Sequence, residues 1–234
     1  RRDHWQSRFM QEITEPAPSD LSGGVLRPRP GRDELIADGI VHGVGVALAL
    51  LGTVVLIVSA SGAGWSGRAA AALYGSILVA ALSISLAYNL WPVGAVKLVL
   101  RRFDHSSIFL LIAATYTPFL ERSASHYSAV VMLCAIWLMA FAGVAIKWIF
   151  PVGYGWLSLV LYLSMGWSGL LIAAPVMQSI PLMSQVLILA GGLVYSFGVI
   201  FFLWEKLRFQ TAIWHGFVVT AAAMHYAAIL ACFR

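Results

Sequence analysis

The sequence predicts an all-α, polytopic membrane protein of seven transmembrane helices, with its N-terminus inside and its C-terminus outside. Three observations carry this. Hydrophobic residues make up 60% of the 234 positions and charged residues 11%, with a mean hydropathy of +0.84, a composition that excludes a soluble globular domain. Seven apolar runs are each long enough to cross about 30 Å of hydrocarbon at about 1.5 Å per residue. Lys and Arg concentrate in alternate joins, so the charge of +5 and pI near 9.5 orient helices. No nucleic-acid partner is expected.

Residues 1–34 are polar and rich in Pro, Gly and Arg, with no apolar run behind the N-terminal charges. They read as a flexible cytoplasmic tail rather than a cleaved signal peptide, and residues 35–234 as the transmembrane domain. The spans are expected near 37–60, 68–92, 104–121, 127–149, 153–174, 182–204 and 211–232. The joins between them are SGAGWSGR, the basic VKLVLRRF, ERSASHY, the turn at Pro151 and Gly153, PVMQSIP and WEKLRFQ. Trp65, Trp91, Trp148, Trp156, Trp204 and Tyr127 fall near span ends, as interfacial aromatics do. Cys134 and Cys232 lie within apolar spans and read as small core residues.

With the N-terminus inside, twelve Lys and Arg lie on the inner side, six in the tail and six at Lys97, Arg101, Arg102, Lys147, Lys206 and Arg208; only Arg68, Arg122 and Arg234 lie outside. This parity brings scattered polar residues to one depth near the inner boundary. Asp38 and His42 open the first span, Ser85 and Asn89 close the second, Asp104 and His105 open the third, and Thr211 and His215 open the seventh. Ser85 and Asn89 are four residues apart, as are Thr211 and His215, so each pair shares a helix face. An ionisable group such as Asp104 inside an apolar helix costs about 2.5–3.5 kcal/mol on insertion scales, which calls for a partner or a task. Two readings remain open here: a polar pocket enclosed by three or four helices, and ordinary interhelical hydrogen bonds that lock a bundle.

The stretches DGIVHGVG, SLAYNLWP, FDHSSIFLLIAATYTPFL, GGLVYSFGVIFF and TAIWHGFVVTAAAMH resemble the hemolysin III group of the progestin and adipoQ receptor family, seven-helix proteins related to membrane hydrolases. The resemblance covers nearly everything after about residue 34. It implies a site made of a Ser and a His four residues apart in the second span, an Asp in the third, and two His four apart in the seventh. Three imidazoles would hold zinc and the Asp would orient or deprotonate a water. The chain keeps Ser85, Asp104 and His215, the first two as the catalytic candidates, but has Asn89 and Thr211 where the other two imidazoles are expected.

An Asn or Thr oxygen is a poor ligand for a borderline-soft ion, so a degenerate site is expected, with His215 as the residual ligand and zinc as the one candidate cofactor. His42 and His105 lie at a similar depth and complete the polar set, whereas His225 is about 15 Å farther along its helix than His215. A triad of Ser85, His215 and Asp104 is chemically conceivable. The leading functional expectation is a non-catalytic lipid-interacting or accessory membrane protein of the bacterial inner membrane, with lipids and other membrane subunits as partners. A zinc-dependent hydrolase of lipid amide or ester bonds is the alternative. A pore-forming cytolysin comes third, because no span is strongly amphipathic and no line of charges marks a conduction path.

Overall fold

A computed structural model describes residues 31–150, 155–171 and 174–234. All regular structure in these residues is helical: α1 (Arg32–Ser59), α2 (Trp65–Leu90), α3 (Ala95–Glu121), α4 (Tyr127–Ile149), α5 (Gly155–Trp167), α6 (Ala174–Ser179), α7 (Leu182–Leu203) and α8 (Gln210–Ala231). Short 3₁₀ turns follow α1 and α5. Five helices, α1, α2, α4, α7 and α8, are long and apolar enough to cross a membrane. The 27-residue α3 has the length, but Asp104, His105 and the basic residues of its first turns dilute its hydropathy. The fifth expected span is a 13-residue helix followed by a 3₁₀ turn; part of it, like residues 1–30 of the expected tail, lies outside the described residues.

Two expectations are corrected. The segment VKLVLRRF is not a join: the turn is confined to residues 91–94, and Lys97 to Arg102 form the opening of α3. Lys97 folds back to donate from Nζ to the carbonyls of Asn89 (3.3 Å) and Trp91 (3.0 Å), satisfying the end of α2. Cys134 is exposed on α4, while Cys232 is buried as expected and its thiol lies 3.6 Å from the Ala228 carbonyl.

Consecutive long helices pack on one another, and α1 closes the bundle against α8. Close approach depends on small residues, because lipid supplies no hydrophobic drive between helices. At Gly75 of α2 the backbone carbonyl accepts from the Thr53 hydroxyl of α1 at 3.2 Å. Gly52 of α1 faces the Tyr226 ring of α8, whose hydroxyl donates to the Gly52 carbonyl at 2.8 Å. The succession of contacts Glu34 with Phe209, Asp38 with His215, Gly45 with Val219 and Gly52 with Tyr226 runs in one direction along both helices, so α1 and α8 are parallel and begin at the same end.

The large apolar side chains of α1, among them Leu48, Leu51, Val54 and Val58, point outward, as does the Trp and Tyr set at the helix ends. Buried positions are rich in Ala and Gly, with Leu56, Tyr74, Phe109, Leu120, Ile136 and Ile229 among the large core side chains and several polar groups beside them. The bundle therefore has the polarity of a protein whose solvent is hydrocarbon.

A Cβ at position 75 would lie 2.6 Å from the Thr53 methyl. Gly75→Ala is expected to destabilise the detergent-solubilised protein by about 1–3 kcal/mol through overpacking. Gly43→Ala, on a face with nothing within 4 Å, should leave the thermal melt unchanged or slightly raised.

Candidate functional site

The end of the bundle where α1, α3 and α8 begin carries a buried polar layer. Its geometry is set by the first turns of α1 and α8. Glu34, in the first turn of α1, accepts from the Gly31 N–H at 2.8 Å and, with its other oxygen, from the Phe209 N–H at 2.9 Å. Phe209 precedes α8 and has a φ of 58°, the left-handed region that costs a non-glycine residue about 1–2 kcal/mol. Glu34 thus ties the two helix starts together. One turn farther in, Asp38 meets His215.

The His215 Nδ1–H donates to Asp38 Oδ1 at 2.7 Å, a distance typical of a charge-assisted bond. His42 lies one turn beyond Asp38 on the same face, with Nδ1 3.0 Å from the Asp38 carbonyl and 3.5 Å from its carboxylate. That contact assigns the proton of His42 to Nδ1, so Nε2 accepts from the Ser85 hydroxyl of α2 at 3.1 Å. The two imidazoles stack edge to face with centroids 4.1 Å apart. Asp38, His42 and His215 are 3%, 1% and 9% exposed, and each offers one ligand atom within 4.8 Å of the others.

Asp104 of α3 completes the layer. It is buried, lies near the Ser85 hydroxyl, and sits in the electrostatic field of Asp38, His42 and His215. Among the described residues no Lys or Arg forms an ion pair with Asp38 or Asp104. Two buried carboxylates balanced only by imidazoles favour a cation between them. The donor set of two imidazoles and one carboxylate suits zinc, and a fourth position is left for water.

The other expected residues are placed as follows. Asn89 turns its amide back to the Ser85 carbonyl at 2.9 Å. Thr211 is half-buried one turn before His215 and makes no side-chain hydrogen bond among the described residues. His105, about 100° around α3 from Asp104, faces Arg101, Lys147 and the Tyr88 ring. His225 is engaged with the Ile188 carbonyl of α7 at 3.2 Å. The conceivable triad has different partners: the imidazole beside Ser85 belongs to His42, and His215 is bound to Asp38. Asp38 is placed at this depth by the sequence but stands outside the candidate site residues read from it. Its signal was present, since Asp38 and His42 have the same four-residue spacing that singled out Ser85 with Asn89.

Comparison with known proteins now bears on this layer. A family model described as Haemolysin-III related matches residues 34–226. The chain belongs to the haemolysin III family. Hemolysin-3 of Bacillus cereus is 37% identical over 199 residues, 84% of this chain and 90% of that protein. The Hemolysin-3 homolog of Bacillus subtilis (strain 168) is 35% identical over 204 residues, covering 86% and 95%. The human protein named Monocyte to macrophage differentiation factor is 31% identical over 231 residues, covering 96% and 93%. No solved structure matches the chain. This haemolysin III protein keeps all the polar residues described above within the matched region.

Removal of the carboxylate leaves the buried His215 imidazole without its acceptor, while His42 keeps the Asp38 backbone carbonyl. Asp38→Ala is expected to destabilise folding by about 1–3 kcal/mol, read by thermal unfolding in detergent. Thr211→Ala should stay within about 0.5 kcal/mol.

Proposed function

We propose that this haemolysin III protein is a zinc-dependent hydrolase of lipid amide or ester bonds, working at the inner face of a bacterial inner membrane with its N-terminus inside. The observation that carries the reading is the convergence of Asp38, His42 and His215. Those three supply the donors that Asn89 and Thr211 do not, and so favour the hydrolase over the non-catalytic role expected from the sequence. When bound, zinc would polarise an acyl carbonyl and lower the pKa of a water. Asp38 orients His215; with zinc on Nδ1 of His42, the proton of that ring would sit on Nε2 and be donated to the Ser85 hydroxyl oxygen. Asp104, beside Ser85 and both imidazoles, is placed to take a proton from water on its carboxylate oxygen and return it to the leaving amine or alkoxide. The exposed apolar flanks of α1 and α7 supply the lipid-facing surface from which an acyl substrate would approach.

A second reading is a metal-free polar lock. It is favoured by the 2.7 Å Asp38–His215 bond and the return of the Asn89 amide to its own helix, which satisfy these groups without an ion.

Metal analysis of protein purified from zinc-supplemented cells separates the two. The hydrolase reading expects one zinc per chain, lost in His42→Ala and in His215→Ala and retained in Thr211→Ala. Ser85→Ala should weaken zinc affinity about 10–100-fold. Asp104→Asn should keep the metal and lower hydrolysis of a fluorescent short-chain ceramide or acyl ester by about 10²–10⁴. Wild-type protein that never retains zinc leaves the polar lock.

A further inference from the structure

A second polar layer lies between α3 and α4. Three contacts fix the register of these helices. The Trp137 indole donates to Thr117 Oγ1 at 3.1 Å, a Cβ on Gly143 would lie 2.5 Å from the Phe109 ring, and the Phe103 and Trp148 rings are 5.1 Å apart. The helices are therefore antiparallel, and Lys147 stands opposite residues 104 and 105, with Ser106 one turn before Phe109 as Lys147 is one turn after Gly143. Ile136, Ala140, Gly143 and Lys147 form one buried stripe on α4, so the lysine is carried into the interface by the same face that packs on Phe109.

Lys147 is 6% exposed, yet among the described residues it has no hydrogen-bond or ion-pair partner. Ser106, 4% exposed, has the one buried side-chain oxygen without a hydrogen-bond partner among the described residues. Arg101 and His105, one turn apart on α3, lie in the electrostatic field of the same lysine. The Tyr162 hydroxyl closes the far side by donating to the His105 carbonyl at 2.7 Å. A buried ammonium, a spare hydroxyl and a guanidinium converge, and among the described residues no acid forms an ion pair with them. Such a set is under-satisfied unless an anion supplies acceptors.

We infer that Lys147, Ser106 and Arg101 form a binding site for a phosphate group at the basic end of the α3–α4 interface. A phosphate has the oxygens to accept from all three donors at once, and Arg and Lys are its usual partners. The surroundings point to a phospholipid: Phe103, Trp148, Ile149 and Phe150 are exposed beside the site and offer apolar surface to acyl chains. Asp104 of the metal centre precedes His105 on α3 and its field reaches Tyr162, so the two sites adjoin along that helix with different donor sets.

Full-length protein in phosphatidylcholine nanodiscs, with or without phosphatidylglycerol, tests this. Native mass spectrometry should show wild type and Lys206→Met, a change on the exposed α7–α8 turn, retaining phosphatidylglycerol in preference to phosphatidylcholine. Lys147→Met should lower that preference about five-fold, the worth of about 1 kcal/mol for one Lys at an anionic lipid surface. Lys147→Arg should restore it. Ser106→Ala, which removes only a hydroxyl, should lower it in the same direction and covers the case in which Lys147→Met does not fold. Inorganic phosphate added in detergent is the second arm. A rise in melting temperature in wild type and none in Ser106→Ala supports phosphate recognition, and a response to phosphate without one to phosphatidylglycerol makes the occupant a free anion. Equal lipid preference in wild type and both variants, with no phosphate response, overturns the site.

Discussion

The bond between His215 and Asp38 joins the first and last long helices of the chain and is the constraint on which the rest of the bundle depends. These helices are 177 residues apart at that point, and nothing local in the sequence brings them together. Their parallel packing is set at the first turn by Glu34, which holds the left-handed Phe209 turn, and deeper by Gly45 and Gly52, which admit Val219 and Tyr226. In hydrocarbon, where apolar packing alone does not choose between partners, hydrogen bonds and small residues choose the register. Asp38 thus has two tasks that coincide: it closes the ring of helices and supplies one of three converging ligand atoms.

The helical class and most element positions were legible because hydropathy in a membrane protein is read against a fixed thickness. Five of the expected spans return as long apolar helices. The misplaced boundary at α3 has a clear origin: the charges of Lys97, Arg101 and Arg102 looked like a turn, while the true turn needed only residues 91–94. Charge marks where a helix leaves the bilayer, and a helix can continue beyond that point. Cys134 shows the complementary weakness, since span membership does not tell a lipid-facing position from a core one.

The site was legible in depth and incomplete in direction. Parity of the spans predicted that Ser85, Asp104 and His215 belong to one layer, and they do share it. Depth cannot separate Asp104 from its neighbour His105, which looks to the other side of α3, or reveal that His42 rather than His215 takes Ser85. Two polar layers therefore adjoin along one helix. One is rich in carboxylates and imidazoles, the other in cations, and their opposite signs fit them to opposite ligands.

The central claim is that Asp38 and His42 join His215 to hold a metal that Asn89 and Thr211 cannot. X-ray absorption at the zinc edge of the zinc-loaded protein tests it most directly. The account predicts a shell of nitrogen and oxygen at about 2.0–2.2 Å with the outer-shell scattering of two imidazoles, and no protein-bound shell in His42→Ala, which loses the metal. A shell of water oxygens alone, or one unchanged by that substitution, would contradict it.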